Sequence, residues 1–126
     1  MERRRSRRIP LEGMAALQFE GTQMRVAIID ISVTGIAFRL LGEQPRRVHG
    51  LLGTCRVDAP DLACPIDAFV SVMRQHPLRD GTTMLGCRFE SISDDHLMVV
   101  RAYISLFSAR QRRHVRQQPT PAAVAA

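Results

Sequence analysis

Apolar residues alternate with polar ones along most of the chain as far as Phe89, then recur every three or four positions from Leu97 onward. A period of two marks a half-buried strand, and a period near 3.6 marks an amphipathic helix. The pattern predicts a body of short strands followed by one helix. Met14 to Phe19 suits a first strand with Glu20-Gly21-Thr22 as its turn, and Gln23 to Ser32 a second. The chain returns through Ile36 to Leu40, with Ile36, Phe38 and Leu40 inward. Gly42 to Gly53, which contains Pro45, Arg46 and Arg47, reads as a loop. Thr54 to Ala59 places Cys55, Val57 and Ala59 inward, and Pro60 to Pro65 turns the chain. Ile66 to Gln75 carries Ile66, Ala68, Val70 and Val72 on one face. Asp80-Gly81 is a hairpin signal leading into Thr83 to Phe89, with Leu85, Cys87 and Phe89 inward. Roughly six short antiparallel strands of this kind suit a small barrel.

The strand Gln23 to Ser32 is apolar on both faces. Strict alternation puts Val26, Ile28, Asp30 and Ser32 on one face and Ala27, Ile29 and Ile31 on the other. Asp30 and Ser32 then emerge together at the strand's end, about 7 Å apart. Gly35 follows, where glycine supplies either a positive φ or a close backbone approach, so a turn is expected there.

In the tail, Ser93 suits a helix N-cap, and Asp94 and Asp95 favour the positive end of the helix dipole. Leu97, Val100, Ile104 and Phe107 form an apolar stripe, widened by Val99, Tyr103 and Leu106. The expected role of the stripe is packing on the barrel rather than a dimer seam. Regular helix is expected to about Arg113, with Arg110, Arg112 and Arg113 at the end that favours cations. The chain thus divides into an arm at 1–8, a β-barrel at 9–92, a helical segment at 93–116 and a disordered tail at 117–126 that contains Pro119 and Pro121.

Composition changes this picture little, but charge changes it more. A chain of 126 residues is one domain. It has no apolar run of membrane-spanning length and no apolar stretch after its basic start, so a cytoplasmic protein without a signal peptide is expected. Cys55, Cys64 and Cys87 lack paired ligand spacing and read as reduced thiols, and the four histidines are scattered, so no metal is expected. The net charge of +6 is uneven: residues 1–8 carry five Arg against one acid, residues 101–116 five Arg and none, and residues 9–100 sum to −3. Basic ends on a mildly acidic body suggest anion-binding arms. All eighteen basic residues are Arg, whose planar fork grips phosphate and the guanine edge in ways that Lys does not.

Two constellations stand out, Arg3-Arg4-Arg5-Ser6-Arg7-Arg8 and Asp30-Ile31-Ser32-Val33-Thr34-Gly35. Guanidinium groups pair bidentately with phosphate oxygens and with guanine O6/N7, and they stack on purines. A carboxylate accepts from the guanine N1–H and N2–H₂ edge, while a serine hydroxyl donates or accepts. The set complements an anionic guanine nucleotide. There is no nucleophile–base pair or phosphate loop, so no enzyme is expected.

In order and setting these constellations resemble the PilZ domain family, whose signatures are R-x-x-x-R preceded by another Arg, and [D/N]-x-S-x-x-G. The resemblance extends through Leu85-Gly86-Cys87-Arg88-Phe89 and the helix Leu97 to Phe107, so it spans residues 2 to about 113. The later half is most similar to the PilZ domain of flagellar-brake proteins. Those proteins carry a further N-terminal domain for which this length leaves no room, so a stand-alone PilZ protein and an excised domain are both open.

The resemblance implies a mainly-β fold, a six-stranded antiparallel PilZ-type β-barrel with a C-terminal α-helix. It implies cyclic di-GMP as the ligand, bound by Arg3, Arg4, Arg8, Asp30, Ser32 and Gly35. Arg3 and Arg7 share the R-x-x-x-R spacing; Arg4 and Arg8 are preferred because Arg8-Ile9-Pro10-Leu11 enters the first strand as in the family. Arg5 and Arg7 are then spare charge, and Arg74 is a lesser stacking candidate. Arginines of the family grip phosphates and the guanine Hoogsteen edge, and the Asp/Asn and Ser contact a guanine. No cofactor beyond this ligand is implied. The implied role is a receptor or adaptor whose arm orders on binding and which signals to a protein effector in motility, biofilm or polysaccharide control, as a monomer or weak dimer. Alternatives are a ligand-independent PilZ adaptor or a small basic barrel on nucleic acid. Against DNA or RNA, aromatics are only 5%, and Phe38, Phe69, Phe89 and Phe107 read as core rather than as a stacking platform.

Overall fold

The strand β2, Met14–Phe19, turns into β3, Thr22–Ile31, across Glu20-Gly21, with Phe19 opposite Thr22. Gly21 has φ of 69°, which a two-residue hairpin requires and glycine adopts without strain. These and the following elements come from a computed structural model describing residues 6–41 and 47–117, with side chains as far as Arg113. A two-residue strand β1, Ile9–Pro10, precedes the hairpin. After it come β4, Gly35–Leu40; β5, Leu52–Asp58; β6, Ile66–Pro77; β7, Thr83–Ile92; and the helix α1, Asp94–Gln117.

All pairings are antiparallel, in the order β1-β3-β2-β5-β6-β7-β4, and β4 pairs back onto β3. Strands β2 to β7 therefore close into a six-stranded barrel, and β1 lies as a short extra edge on β3. Closure removes the free strand edges that an open sheet would expose. The alternating apolar positions fill the interior: Leu17, Val26, Phe38, Val57, Ile66, Val70 and Leu85 are fully buried. Each such side chain contributes about 1.5–3 kcal/mol relative to exposure.

The sequence pattern and the structure part at particular places. Within β3, Ile28 pairs with Phe38 but Asp30 pairs with Ala37, so Ile29 is an extra residue, a β-bulge. The bulge reverses the in–out phase. Ile31 goes into the core and Asp30 turns away from it, instead of sharing a face with Val26 and Ile28. Phe69, expected in the core, lies outside at 49% exposure because it stands in the outward phase of β6, opposite Thr54. Gly53 belongs to β5 rather than to a loop, and its Cβ position is filled by the Phe19 ring.

The helix starts where expected. Ser93 Oγ accepts from the His96 amide, and the Ser93 carbonyl accepts from Leu97 N. Its inner face is Val100 and Tyr103, supported by Val99, Ile104 and Phe107, while Leu106 points outward at 47% exposure and does not widen the stripe. Gln117 closes the helix rather than opening the tail, and residues 118–126 lie outside the described chain. The Tyr103 hydroxyl donates to the Pro10 carbonyl, which ties the helix to the root of the N-terminal arm.

Candidate ligand cleft

The arm enters the fold through β1. Ile9 and Leu11 are buried, Pro10 pairs with Asp30, and this register fixes Arg8 beside the end of β3. Arg8 Nη1 donates to Asp30 Oδ1 at 3.0 Å, with the two side chains 36% and 25% exposed. Arg7 Nη1 donates to Ser108 Oγ at 3.3 Å on α1. Both arginines are thus paired with the folded body, which departs from an arm free as far as residue 8. Arg3, Arg4 and Arg5 lie outside the described residues.

Ser32 is 2% exposed, and its hydroxyl builds the turn into β4. Ser32 Oγ accepts from the amides of Thr34 at 3.1 Å and Gly35 at 3.2 Å, and lies 3.1 Å from Thr34 Oγ1. The Ser32 amide in turn donates to the Gly35 carbonyl. Gly35 has no positive φ; its requirement is space. A Cβ there would lie 2.3 Å from the Cys87 carbonyl oxygen, so glycine lets β4 approach β7. The Phe89 amide donates to the Thr34 carbonyl and locks the turn onto β7.

Two further bulges act on the same rim. Val72 pairs with Cys87 and Arg74 with Gly86, so Met73 is an extra residue in β6. Arg74 thereby lies over Gly86, whose missing side chain leaves room for the guanidinium stem. On β7 Glu90 is the extra residue, since Val70 pairs with Phe89 and Phe69 with Ser91. Glu90 Oε2 accepts from Ser71 Oγ at 2.6 Å and from Arg88 Nη2 at 2.8 Å. The Ser71 hydroxyl and then Arg88 hold the Glu90 carboxyl below its ordinary range. Bulges of this kind re-aim side chains beside functional sites.

The result is a small cleft of about 180 Å³ lined by Arg8, Thr34, Gly35, Arg74, Cys87 and Arg88, among others. Three arginines line it, two of them paired with carboxylates, Arg8 with Asp30 and Arg88 with Glu90. The Cys87 thiol is no nucleophile, since burial pushes it to about 12. Larger open hollows of about 580 and 680 Å³ lie on the outer wall, around Phe69 and around Arg25, away from these residues. Arg8, Asp30 and Gly35 are brought together as the sequence led us to expect, and Ser32 joins them as the buried organiser of the turn. Arg88 was not anticipated as a residue lining this cleft. Its outward place on β7 was legible, but its pairing opposite Gly35 was not.

Comparison with known proteins gives the family and the fold. The PilZ domain family model matches residues 2–106, and the chain belongs to that family. No curated protein sequence matches it. Among solved structures it is similar to the Bacillus subtilis inhibitor of motility MotI/DgrA, with TM-score 0.71 and 17% identity over 94% of this chain and 55% of that one. It is similar to Escherichia coli YcgR in complex with c-di-GMP, with TM-score 0.72 and 18% identity over 92% of this chain and 50% of that one. The isolated PilZ domain of the same YcgR, also with c-di-GMP, gives TM-score 0.70 and 16% identity over 93% of this chain and 100% of that one. The chain thus spans about half the length of the first two proteins. At these identities the likeness is one of fold.

Proposed function

We propose that the chain is a cyclic di-GMP receptor that binds the dinucleotide between its N-terminal arginines and the Arg8–Arg74–Arg88 cleft. The observation that carries this reading is the ion pair between Arg8 and Asp30 beside the Gly35 turn, which joins the two signature segments. The ligand's two phosphates supply the anionic charge that three clustered guanidinium groups call for. Arg8 keeps further N–H donors for a phosphate or a guanine Hoogsteen edge, since Asp30 Oδ1 takes one. Asp30 Oδ2 would accept from a guanine edge. Ser32 and Gly35 act by holding the turn rather than by reaching into solvent. Arg74 offers its plane for stacking, and Arg3 and Arg4 close over the ligand from the arm.

Arg7 and Arg8 pair with Ser108 and Asp30, and ligand binding would order the N-terminal arm against this rim. The closed arm would present a new surface to a protein effector. Binding is the activity proposed, since the cleft pairs cations with carboxylates, Arg8 with Asp30 and Arg88 with Glu90.

Calorimetric titration with cyclic di-GMP tests the assignment. Arg8→Ala is expected to weaken binding by about 2 kcal/mol, the low end for a truncated charge pair because Arg8 is partly exposed. Arg4→Ala/Arg8→Ala is expected to weaken it further. Unchanged affinity in the double variant would sink the assignment.

A further inference from the structure

Arg88 lines the cleft with little packing to hold it. Its partners across the ladder are Gly35 on β4 and Ser71 on β6, so no large side chain stands directly opposite it on either strand. The side chain is 58% exposed. A long arginine in such a place keeps its rotamer freedom, and a ligand that grips it must first freeze it.

Glu90 removes that freedom. Its Oε2 accepts from Arg88 Nε at 3.1 Å and from Nη2 at 2.8 Å, so one oxygen holds a whole edge of the guanidinium plane. The same oxygen accepts from Ser71 Oγ at 2.6 Å, the length of a charge-assisted O–H···O⁻ bond. Ser71 is buried, and it stands on β6 opposite Arg88. Its hydroxyl fixes the carboxylate to the barrel, and the carboxylate fixes the arginine. Glu90 is available for this because it is the extra residue of β7, with no partner of its own in β6. The other edge of the guanidinium, Nη1 with the second Nη2 hydrogen, is left as a fork that suits two oxygens of a phosphate.

The ion pair on the outer wall shows what the brace adds. Arg56 and Asp67 are 61% and 54% exposed, and the Asp67 carboxylate meets Arg56 alone among the described residues. An exposed pair of that kind is weak and loose. Glu90 differs in being anchored on a buried hydroxyl. A carboxylate beside an anion site also repels the ligand, so it favours binding only where it orders the arginine more than it repels.

We propose that Glu90, braced by Ser71, is a positioning residue that presents the Nη1–Nη2 edge of Arg88 to a phosphate of the ligand. This rests on the reading of the cleft as a cyclic di-GMP site, and it gives a carboxylate there a favourable part in holding an anion.

Two measurements on the full chain test it. Without ligand, the Arg88 Nε–H resonance is expected to exchange slowly with solvent. It loses that protection in Glu90→Ala and keeps most of it in Glu90→Gln, whose amide oxygen accepts in place of the carboxylate. With cyclic di-GMP, calorimetry is expected to give about tenfold weaker binding for Glu90→Ala, although the change removes a negative charge, and recovery to within about threefold of the wild type for Glu90→Gln. In an Arg88→Ala background, Glu90→Ala is expected to cost nothing further, because Glu90 acts through Arg88. A Glu90→Ala chain that binds as tightly as the wild type, or more tightly, overturns the role. So does an Arg88 Nε–H that stays protected in Glu90→Ala, or an equal loss in the Arg88→Ala background. A wild-type chain with no affinity for cyclic di-GMP overturns the receptor reading and this role with it, whereas the other three results overturn the role alone.

Discussion

Gly35 shows how one missing side chain organises the cleft. Its absent Cβ lets the β3–β4 turn rest against the Cys87 carbonyl, and the Ser32 hydroxyl then satisfies two amides of that turn. Gly35→Ala forces backbone apart where β4 meets β7. The expected loss is about 1–3 kcal/mol of stability in denaturant unfolding, with weakened ligand binding beside it. The thiols make a second residue-scale test. Burial raises Cys55 and Cys87 to about 12, whereas Cys64 is exposed. A thiolate-trapping reagent at pH 8 is expected to modify Cys64 quickly and the other two only after unfolding. Rapid reaction of all three in the native protein would contradict the packed barrel interior.

At the scale of elements, the strands and the helix were legible because their periods are strong, and the bulges were not. Alternation along Gln23 to Ser32 gave Asp30 the wrong face, since Ile29 costs one residue of register that only the pairing with β4 reveals. The same limit hid Arg88, whose pairing opposite Gly35 no single strand records, and left Arg74 a lesser candidate, because Met73 bulges where β6 meets β7. Single-strand patterns carry no record of which residue faces which across the barrel. The link between α1 and the arm was likewise invisible, since Tyr103 and Pro10 are 93 positions apart. Tyr103→Phe removes that hydrogen bond while keeping the ring against Phe107. The expected cost is about 1 kcal/mol in thermal or denaturant unfolding. A drop in affinity for cyclic di-GMP should accompany it, because β1 sets the position of Arg8. Unchanged stability and binding would remove the helix from the account of the site.

For the molecule as a whole, the pairing of β1 on β3 sets Arg8 beside Asp30 at the barrel rim although 22 positions separate them. Charge works at the same scale. The basic ends of a chain with net charge +6 are carried by the arm and by α1, while the body between them is mildly acidic. No helix among the described residues is long and apolar enough to cross a membrane. We propose that this rim, with the arm, holds cyclic di-GMP. This is tested most directly by following backbone amide resonances of the intact chain as cyclic di-GMP is added. Shifts are expected at residues 3–8, from Asp30 to Gly35, and at Arg74 and Arg88, with little change on the outer wall around Phe69. No shifts, or shifts centred on the Phe69 wall with the rim unmoved, would contradict the account.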